Sequence, residues 1–95
     1  MRAGSFIILY HPSVPKEDLR RLPGNLKARI QKAIEERLAV DPVKYGDPLR
    51  RSLRGFRKLR VGDYRVIYEI DSPDVVILKI GHRKEVYSKV EKRLE

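Results

Sequence analysis

The sequence contains no cysteine and no tryptophan, and it has only one methionine, one asparagine and two histidines. Without cysteine the chain can form neither a disulfide nor a thiolate metal site. His11 and His82 lie too far apart in the sequence for the short ligand spacing of a histidine metal site. No apolar run approaches the length of a membrane span, and the first residues lack the small-residue cleavage site of a signal peptide. We therefore expect a cytoplasmic protein with no metal site and no cofactor.

Acidic residues are few relative to basic ones. The 95 residues include 22 lysines and arginines but only 13 aspartates and glutamates, which gives a formal charge of +9. Such a charge favours polyanionic partners: nucleic acid first, an anionic membrane second and an acidic protein third. Five cations and only two acids fall between residues 53 and 70, and this clustering favours nucleic acid. The length predicts a single domain, residues 1–95, with a modest core.

Residues 53–70 also have the composition of a β-hairpin. β-Branched and aromatic residues flank Gly62 and Asp63, which suit a tight turn, so we predict strands at 56–61 and 64–70. Strand alternation separates the second strand into a core face and an open face. The core face carries Tyr64, Val66, Tyr68 and Ile70, and the open face carries Arg65, Ile67 and Glu69.

The remaining segments complete an α+β fold. We predict a strand at 5–10, a helix at 14–22 capped by Ser13, a helix at 26–40, a strand at 75–81 and a helix at 83–94. Alternation in the strand at 75–81 assigns Val76, Leu78 and Ile80 to the core, and Val75, Ile77, Lys79 and Gly81 to the open face. The order β-α-α-β-β-β-α predicts a small antiparallel sheet with a helical hairpin on one face and a short C-terminal helix. The other face is predicted to be open, concave and basic.

Four groups are expected to meet on that open face: Lys58, Arg65, Arg83 and Tyr87. Cations bind phosphate and stabilise the charge that develops during phosphoryl chemistry, and they favour the ionised form of a nearby phenol. No acidic cluster is present to hold magnesium, so such chemistry would be metal-independent. Simpler interpretations remain open, because the two strand cations could be solvated surface charges and Tyr87 could pack beside Val90.

Two stretches of the chain, KLRVGDYRVIYEI at 58–70 and VVILKIGHRKEVY at 75–87, closely resemble the RelE/ParE superfamily of toxins, and specifically its RelE-like branch. The resemblance covers the whole chain. It implies the toxin of a type II toxin-antitoxin system that enters the ribosomal A site and cuts mRNA there without a metal. The 2′-hydroxyl would attack the adjacent phosphate and leave a 2′,3′-cyclic phosphate.

The resemblance also implies roles for single residues. Tyr87 matches the general base, Arg65 the arginine that stabilises the transition state, Arg83 the arginine at the leaving group, and Lys58 a supporting lysine. His82 is an alternative acid or base, because several relatives use a histidine near the C-terminus. A further lysine found in some members is replaced here by Phe56.

Two contact surfaces follow from the resemblance together with the charge pattern. One is predicted to bind ribosomal RNA phosphates through Arg50, Arg51, Arg54, Arg57, Arg60 and Lys79. The other is predicted to bind an acidic, RelB-like antitoxin through Arg65, Ile67, Val75, Ile77 and Arg83. The expected partners are therefore the antitoxin, the 70S ribosome and mRNA, with no membrane. Two alternatives stay open: a ParE-like toxin that acts on DNA gyrase, and a decayed toxin that only binds its antitoxin.

Overall fold

The hairpin predicted at 56–70 forms in the structure, a computed structural model that describes residues 5–95. Its strands are β3 (Arg57–Val61) and β4 (Tyr64–Asp71). Gly62 has a φ of 60°, which glycine adopts without the steric cost that a side chain would add. The turn is therefore tight, and Arg60 lies directly opposite Arg65.

Three further strands extend the hairpin into a five-stranded sheet: β1 (Ile7–Tyr10), β2 (Asp47–Pro48) and β5 (Asp74–His82). The strand order is β1-β5-β4-β3-β2. β1 runs parallel to β5, and the other neighbours are antiparallel. The predicted α+β class is confirmed, and the structure adds the short edge strand β2, which was not predicted.

The longest helix, α1 (Gly24–Ala33), continues through a wider helical turn at Ile34–Leu38. Its apolar stripe packs on the sheet and comprises Leu26, Ile30, Ala33, Ile34 and Leu38. Helical turns at Val14–Asp18 and Leu19–Arg21 precede α1. The Ser13 side chain does not cap them. Instead the Ser13 N–H donates to His11 Nδ1 at 3.1 Å.

Two short helices remain. α2 (Pro42–Tyr45) begins at Asp41, whose carboxylate accepts a hydrogen bond from the Lys44 N–H at 3.1 Å. α3 (Val86–Arg93) ends the chain. The prediction that this last helix starts at residue 83 is wrong, because residues 83–85 form the turn that leaves β5.

The sheet has an apolar core on each face, and this overturns the prediction of an open face. The first core lies between the sheet and α1. The second lies under α3 and is formed by Leu53, Ile67, Leu78, Val86 and Val90. Each apolar side chain that α3 buries contributes roughly 1.5–3 kcal/mol to folding. The C-terminal helix therefore covers much of the surface that alternation assigned to solvent.

A bulge in β5 explains a second error. Ile67 pairs with Lys79 while Tyr68 pairs with Ile77, so Leu78 is an extra residue and the alternation shifts by one position there. As a result Val75 and Ile77 belong to the core under α1. Val76 and Leu78, which were predicted to be in that core, pack on the side of α3 instead.

Candidate active site

The hairpin places three cations on the α3 side of the sheet. Lys58 lies opposite Ile67, and Arg60 lies opposite Arg65. Residues that face each other in an antiparallel pair project to the same side, and alternate residues share a side. Lys58 and Arg65 are therefore diagonal neighbours on the face that also carries α3, as the alternation predicted.

Tyr87 reaches this face from the first turn of α3. The Lys58 Nζ lies 5.8 Å from the centroid of the Tyr87 ring, within the range of a cation–π contact. The ring also packs against the second core. α3 can approach the sheet closely because Gly81 has no side chain, and a Cβ at Gly81 would lie 3.3 Å from Val86 Cγ2.

Arg65 is buried, with only 7% of its surface exposed. Its Nη1 donates to two backbone carbonyls, Tyr64 O at 2.8 Å and Gly62 O at 3.0 Å. The expectation of a cation on an open surface is therefore wrong. A guanidinium has five N–H donors, so these bonds fix its position without using all of its capacity.

Arg83 lies in the turn between β5 and α3, so it does not share a helix with Tyr87. Its backbone N–H donates to Asp63 O at 2.8 Å, and its Nε lies 3.6 Å from Asp63 Oδ1. The side chain is 53% exposed. Arg65 and Arg83 are thus both anchored to the Gly62–Asp63 turn, one beneath it and one at the surface.

His82 occupies the opposite side of the strand from this group. It pairs with Tyr64 in the sheet, and the two rings meet edge to face at 5.5 Å. Its Nδ1 accepts a hydrogen bond from the Lys84 N–H at 3.2 Å. The imidazole is therefore partnered on the core side, away from the Lys58–Tyr87 contact.

Four of the six cations predicted to bind RNA are exposed: Arg50, Arg51, Arg54 and Arg60. The first three lie in the connection before β3. Ser52 in this connection donates to Glu91 of α3, and Leu53 packs under α3. The connection thus places its arginines beside the helix that carries Tyr87.

The other two cations are placed differently. Arg57 points to the α1 side, where its Nη2 donates to Gly46 O at 2.8 Å and Val43 O at 2.9 Å. Lys79 is buried and forms an ion pair with Asp18 at 2.9 Å. Their predicted exposure on the basic face is wrong, and both side chains are engaged within the fold.

The apolar part of the predicted antitoxin surface is also buried. Ile67, Val75 and Ile77 have no exposed surface. Ile67 lies under α3, and the other two lie under α1 because of the bulge in β5. Their assignment to an exposed contact surface is therefore wrong, whereas Arg83 is accessible.

No three histidine, aspartate or glutamate side chains are grouped within residues 5–95 so that they could hold a metal ion. The functional groups that meet here are cations and one phenol. Such a set binds a phosphate and can move a proton beside it. In the described part of the chain, no helix is long and apolar enough to cross a membrane.

The model of a toxin family, the ParE toxin of the type II toxin-antitoxin system parDE, matches residues 3–87. The chain belongs to this family. It is 38% identical to Toxin RelG of Mycobacterium tuberculosis, covering 76% of this chain and 85% of RelG. It is 36% identical to Toxin RelE of the same organism, covering 82% of this chain and 86% of that toxin.

The fold agrees with this assignment. The toxin-antitoxin complex RelBE2 of Mycobacterium tuberculosis matches with a TM-score of 0.77 and 33% identity, over 83% of this chain and 92% of the solved chain. The chain is therefore a RelE-family toxin of the RelE/ParE superfamily, which confirms the resemblance stated from its two motifs.

A buried ionic network that was not predicted from the sequence holds α3 of this toxin in place. Asp18 accepts hydrogen bonds from Lys79 Nζ at 2.9 Å, the Ile80 N–H at 2.9 Å, and Arg93 Nη1 and Nη2 at 2.8 and 3.1 Å. Burial on its own would raise the pKa of Asp18, but hydrogen bonds from Arg93, Ile80 and Lys79 outweigh it and lower the pKa. The partners of Asp18 lie 61 to 75 residues along the chain, so no local pattern indicated them.

Proposed function

We propose that this RelE-family toxin is a ribosome-dependent, metal-independent endoribonuclease that inhibits translation by cleaving mRNA in the ribosomal A site. The observation that carries the proposal is the contact of the Lys58 Nζ with the Tyr87 ring, on the sheet face toward which Arg65 also projects. Arg65 and Arg83 are both anchored to the Gly62–Asp63 turn. These groups offer a proton acceptor and three cations to a single phosphate.

In the proposed reaction Tyr87 accepts the proton of the 2′-hydroxyl, and the 2′ oxygen forms a bond to the adjacent phosphorus. Arg65 stabilises the negative charge that develops on the phosphate oxygens. The bond from phosphorus to the 5′ oxygen breaks, and Arg83 stabilises that oxygen until it takes up a proton from water. Lys58, whose ammonium lies over the Tyr87 ring, helps to hold the phosphate beside the phenol. The products are a 2′,3′-cyclic phosphate and a free 5′-hydroxyl.

Ribosome binding is assigned to the exposed arginines of the connection before β3. Arg50, Arg51 and Arg54 are exposed beside α3, so they can contact rRNA phosphates while Tyr87 faces the mRNA. Such contacts are electrostatic and read little sequence. Binding should therefore weaken steeply as salt is raised.

We also propose that an acidic antitoxin segment neutralises the site. Solved relatives include toxin-antitoxin complexes, among them RelBE2 of Mycobacterium tuberculosis. Arg83 is exposed, and Arg65 lies beneath the same turn. Charge reversal at Arg83, whose side chain is exposed, should weaken the complex, measured by calorimetry with the cognate antitoxin. Unchanged affinity would place the antitoxin elsewhere.

The test of catalysis is single-turnover cleavage on ribosomes programmed with a defined mRNA, with the 3′ ends of the fragments mapped chemically. Tyr87→Phe keeps the ring and removes only the hydroxyl. Tyr45→Phe is a matched control, because Tyr45 lies outside the site and its ring also has a lysine over it, with Lys44 Nζ 5.3 Å from the ring centroid. Loss of cleavage in Tyr87→Phe alone supports the proposal, and equal activity of the two variants refutes the role of the phenol.

A ParE-like action on DNA gyrase is the second candidate, because the family model that matches this chain is that of the ParE toxin. A gyrase supercoiling assay with the wild-type toxin separates the two functions. Inhibition of gyrase without cleavage on programmed ribosomes would replace the ribonuclease proposal. Antitoxin binding with neither activity would identify a decayed toxin.

A further inference from the structure

A second concentration of positive charge lies at the tip of the hairpin, on the side of α1. A cleft of about 180 Å³ separates α1 from the turn between β3 and β4. It is lined by four cations, Arg29, Lys32, Arg37 and Arg60, and by a single acid, Glu36. All five residues are exposed.

These cations have no carboxylate partner within the fold. Among residues 5–95, none of the four forms an ion pair. Like charges that are held together repel and oppose folding. Because the fold does not compensate these charges, the cleft is suited to an anionic ligand. The guanidinium groups of Arg29 and Arg37 match the geometry of a phosphate.

The cleft adjoins the candidate active site across one residue. A Cβ at Gly62 would lie 3.3 Å from Arg29 Nη1, so the Arg29 guanidinium lies against the turn on the α1 side. On the other side, Gly62 O accepts the hydrogen bond from Arg65 Nη1 at 3.0 Å. Only the Gly62 backbone therefore separates a cation of the cleft from a cation of the active site.

We propose that this cleft binds a backbone phosphate of RNA at the same time as the active site engages the mRNA. Arg29 and Arg37 are its principal ligands, because both are exposed arginines of the helical wall of the cleft, whereas the Arg60 side chain projects to the α3 side of β3. A nucleic-acid strand carries a negative charge at every nucleotide, so phosphates can occupy both sides of the hairpin tip together. This inference rests on the proposed ribosome-dependent activity and adds a second RNA contact to it.

The test is equilibrium binding to 70S ribosomes over a range of salt concentrations, in a Tyr87→Phe background so that the RNA stays intact. The double variant Arg29→Gln/Arg37→Gln should reduce the slope of log affinity against log salt by about one, since one phosphate contact is lost. Arg29→Lys keeps the charge and should retain the slope. The control is Arg20→Gln/Arg21→Gln, which removes two exposed arginines from a turn outside the cleft and should leave the slope unchanged.

Two forms of the ribosome identify the source of the phosphate. Weaker binding to vacant and programmed ribosomes alike assigns the phosphate to rRNA, and weaker binding only to programmed ribosomes assigns it to mRNA. Both results support the cleft. If the double variant has the same salt slope as the control, in a toxin that binds ribosomes, the cleft is refuted and the proposed function is not. The same holds if the double variant weakens binding to the acidic antitoxin but not to ribosomes. A parent toxin that does not bind ribosomes refutes the proposed function and this inference together.

Discussion

Asp18 is predicted to be among the most sensitive polar positions of the toxin, because its buried carboxylate lies between the cations of Lys79 and Arg93. Asp18 is 3% exposed, and it accepts bonds from Lys79, Arg93 and the Ile80 N–H. Asp18→Asn removes the negative charge and leaves Lys79 and Arg93 facing each other. Loss of one partner from a buried ion pair costs about 3–5 kcal/mol.

Removal of a cation should cost less. In Arg93→Met, Asp18 keeps Lys79 and the Ile80 N–H, so one carboxylate and one ammonium remain paired. We expect a loss of about 1.5–3 kcal/mol, the contribution of hydrogen bonds to charged groups. Glu17→Gln is the matched control, since Glu17 is 54% exposed and 3.8 Å from Arg93, and exposed pairs contribute about 0–1 kcal/mol.

The assay is urea unfolding at neutral pH, together with thermal melting. For a domain of this size, the free energy of unfolding lost in Asp18→Asn corresponds to a melting temperature at least about 12 °C below that of the wild type. The order of destabilisation should be Asp18→Asn, then Arg93→Met, then Glu17→Gln. An Asp18→Asn variant as stable as Glu17→Gln would refute the reasoning, because the buried cations would then not depend on this carboxylate.

The same network predicts a pH dependence of stability. The pKa of Asp18 is lowered in the folded state, so its contribution is present above the unfolded pKa of about 3.9 and is lost as the pH falls through the lower folded value. Asp18→Asn lacks this contribution at every pH. The stability difference between the wild type and this variant should therefore shrink below about pH 4, as measured by urea unfolding at each pH. A stability difference between the two proteins that stays constant down to pH 2 would contradict the conclusion that the ionised Asp18 carboxylate stabilises the fold.

Three other substitutions give distinct outcomes. His82→Gln should reduce single-turnover cleavage less than Tyr87→Phe does, because the imidazole lies on the core side of β5. A larger loss of cleavage in His82→Gln would make the histidine the general base. Arg65→Ala should lower cleavage on the order of 100-fold and also destabilise the fold by about 1–3 kcal/mol, because two backbone carbonyls lose their donor. An Arg65→Ala variant that melts like the wild type would show that those bonds contribute nothing. Gly46→Ala should lower stability by about 1–3 kcal/mol, since the new methyl would overlap the Tyr68 hydroxyl; an unchanged melting temperature would indicate that the tyrosine can move away.

Antitoxin binding and ribosome binding should respond differently to the charges of this surface. Charge reversal at Arg83 alters an exposed side chain and should affect the antitoxin complex, whereas substitution in the exposed connection at Arg50, Arg51 and Arg54 should mainly alter the salt dependence of ribosome binding. Parallel titrations of each variant with antitoxin and with ribosomes separate the two surfaces.

The sequence by itself determined the elements whose signals are local. Gly62 and Asp63 between two β-rich runs gave the hairpin, and the apolar spacing of α1 gave the helix that covers one face. Alternation along the hairpin placed Lys58 and Arg65 on one face, because residues two apart in a strand point the same way. The two motifs at 58–70 and 75–87 identified the toxin superfamily.

Only the tertiary structure decided which surfaces remain exposed. The bulge at Leu78 reversed the faces of Val75 and Ile77, because one extra residue shifts a period of two. The position of α3 decided that Ile67 is buried, and it depends on Gly81 and on the distant pair Asp18 and Arg93. Such contacts join residues far apart in the chain, so they are set by the packing of the whole fold and leave no local pattern in the sequence.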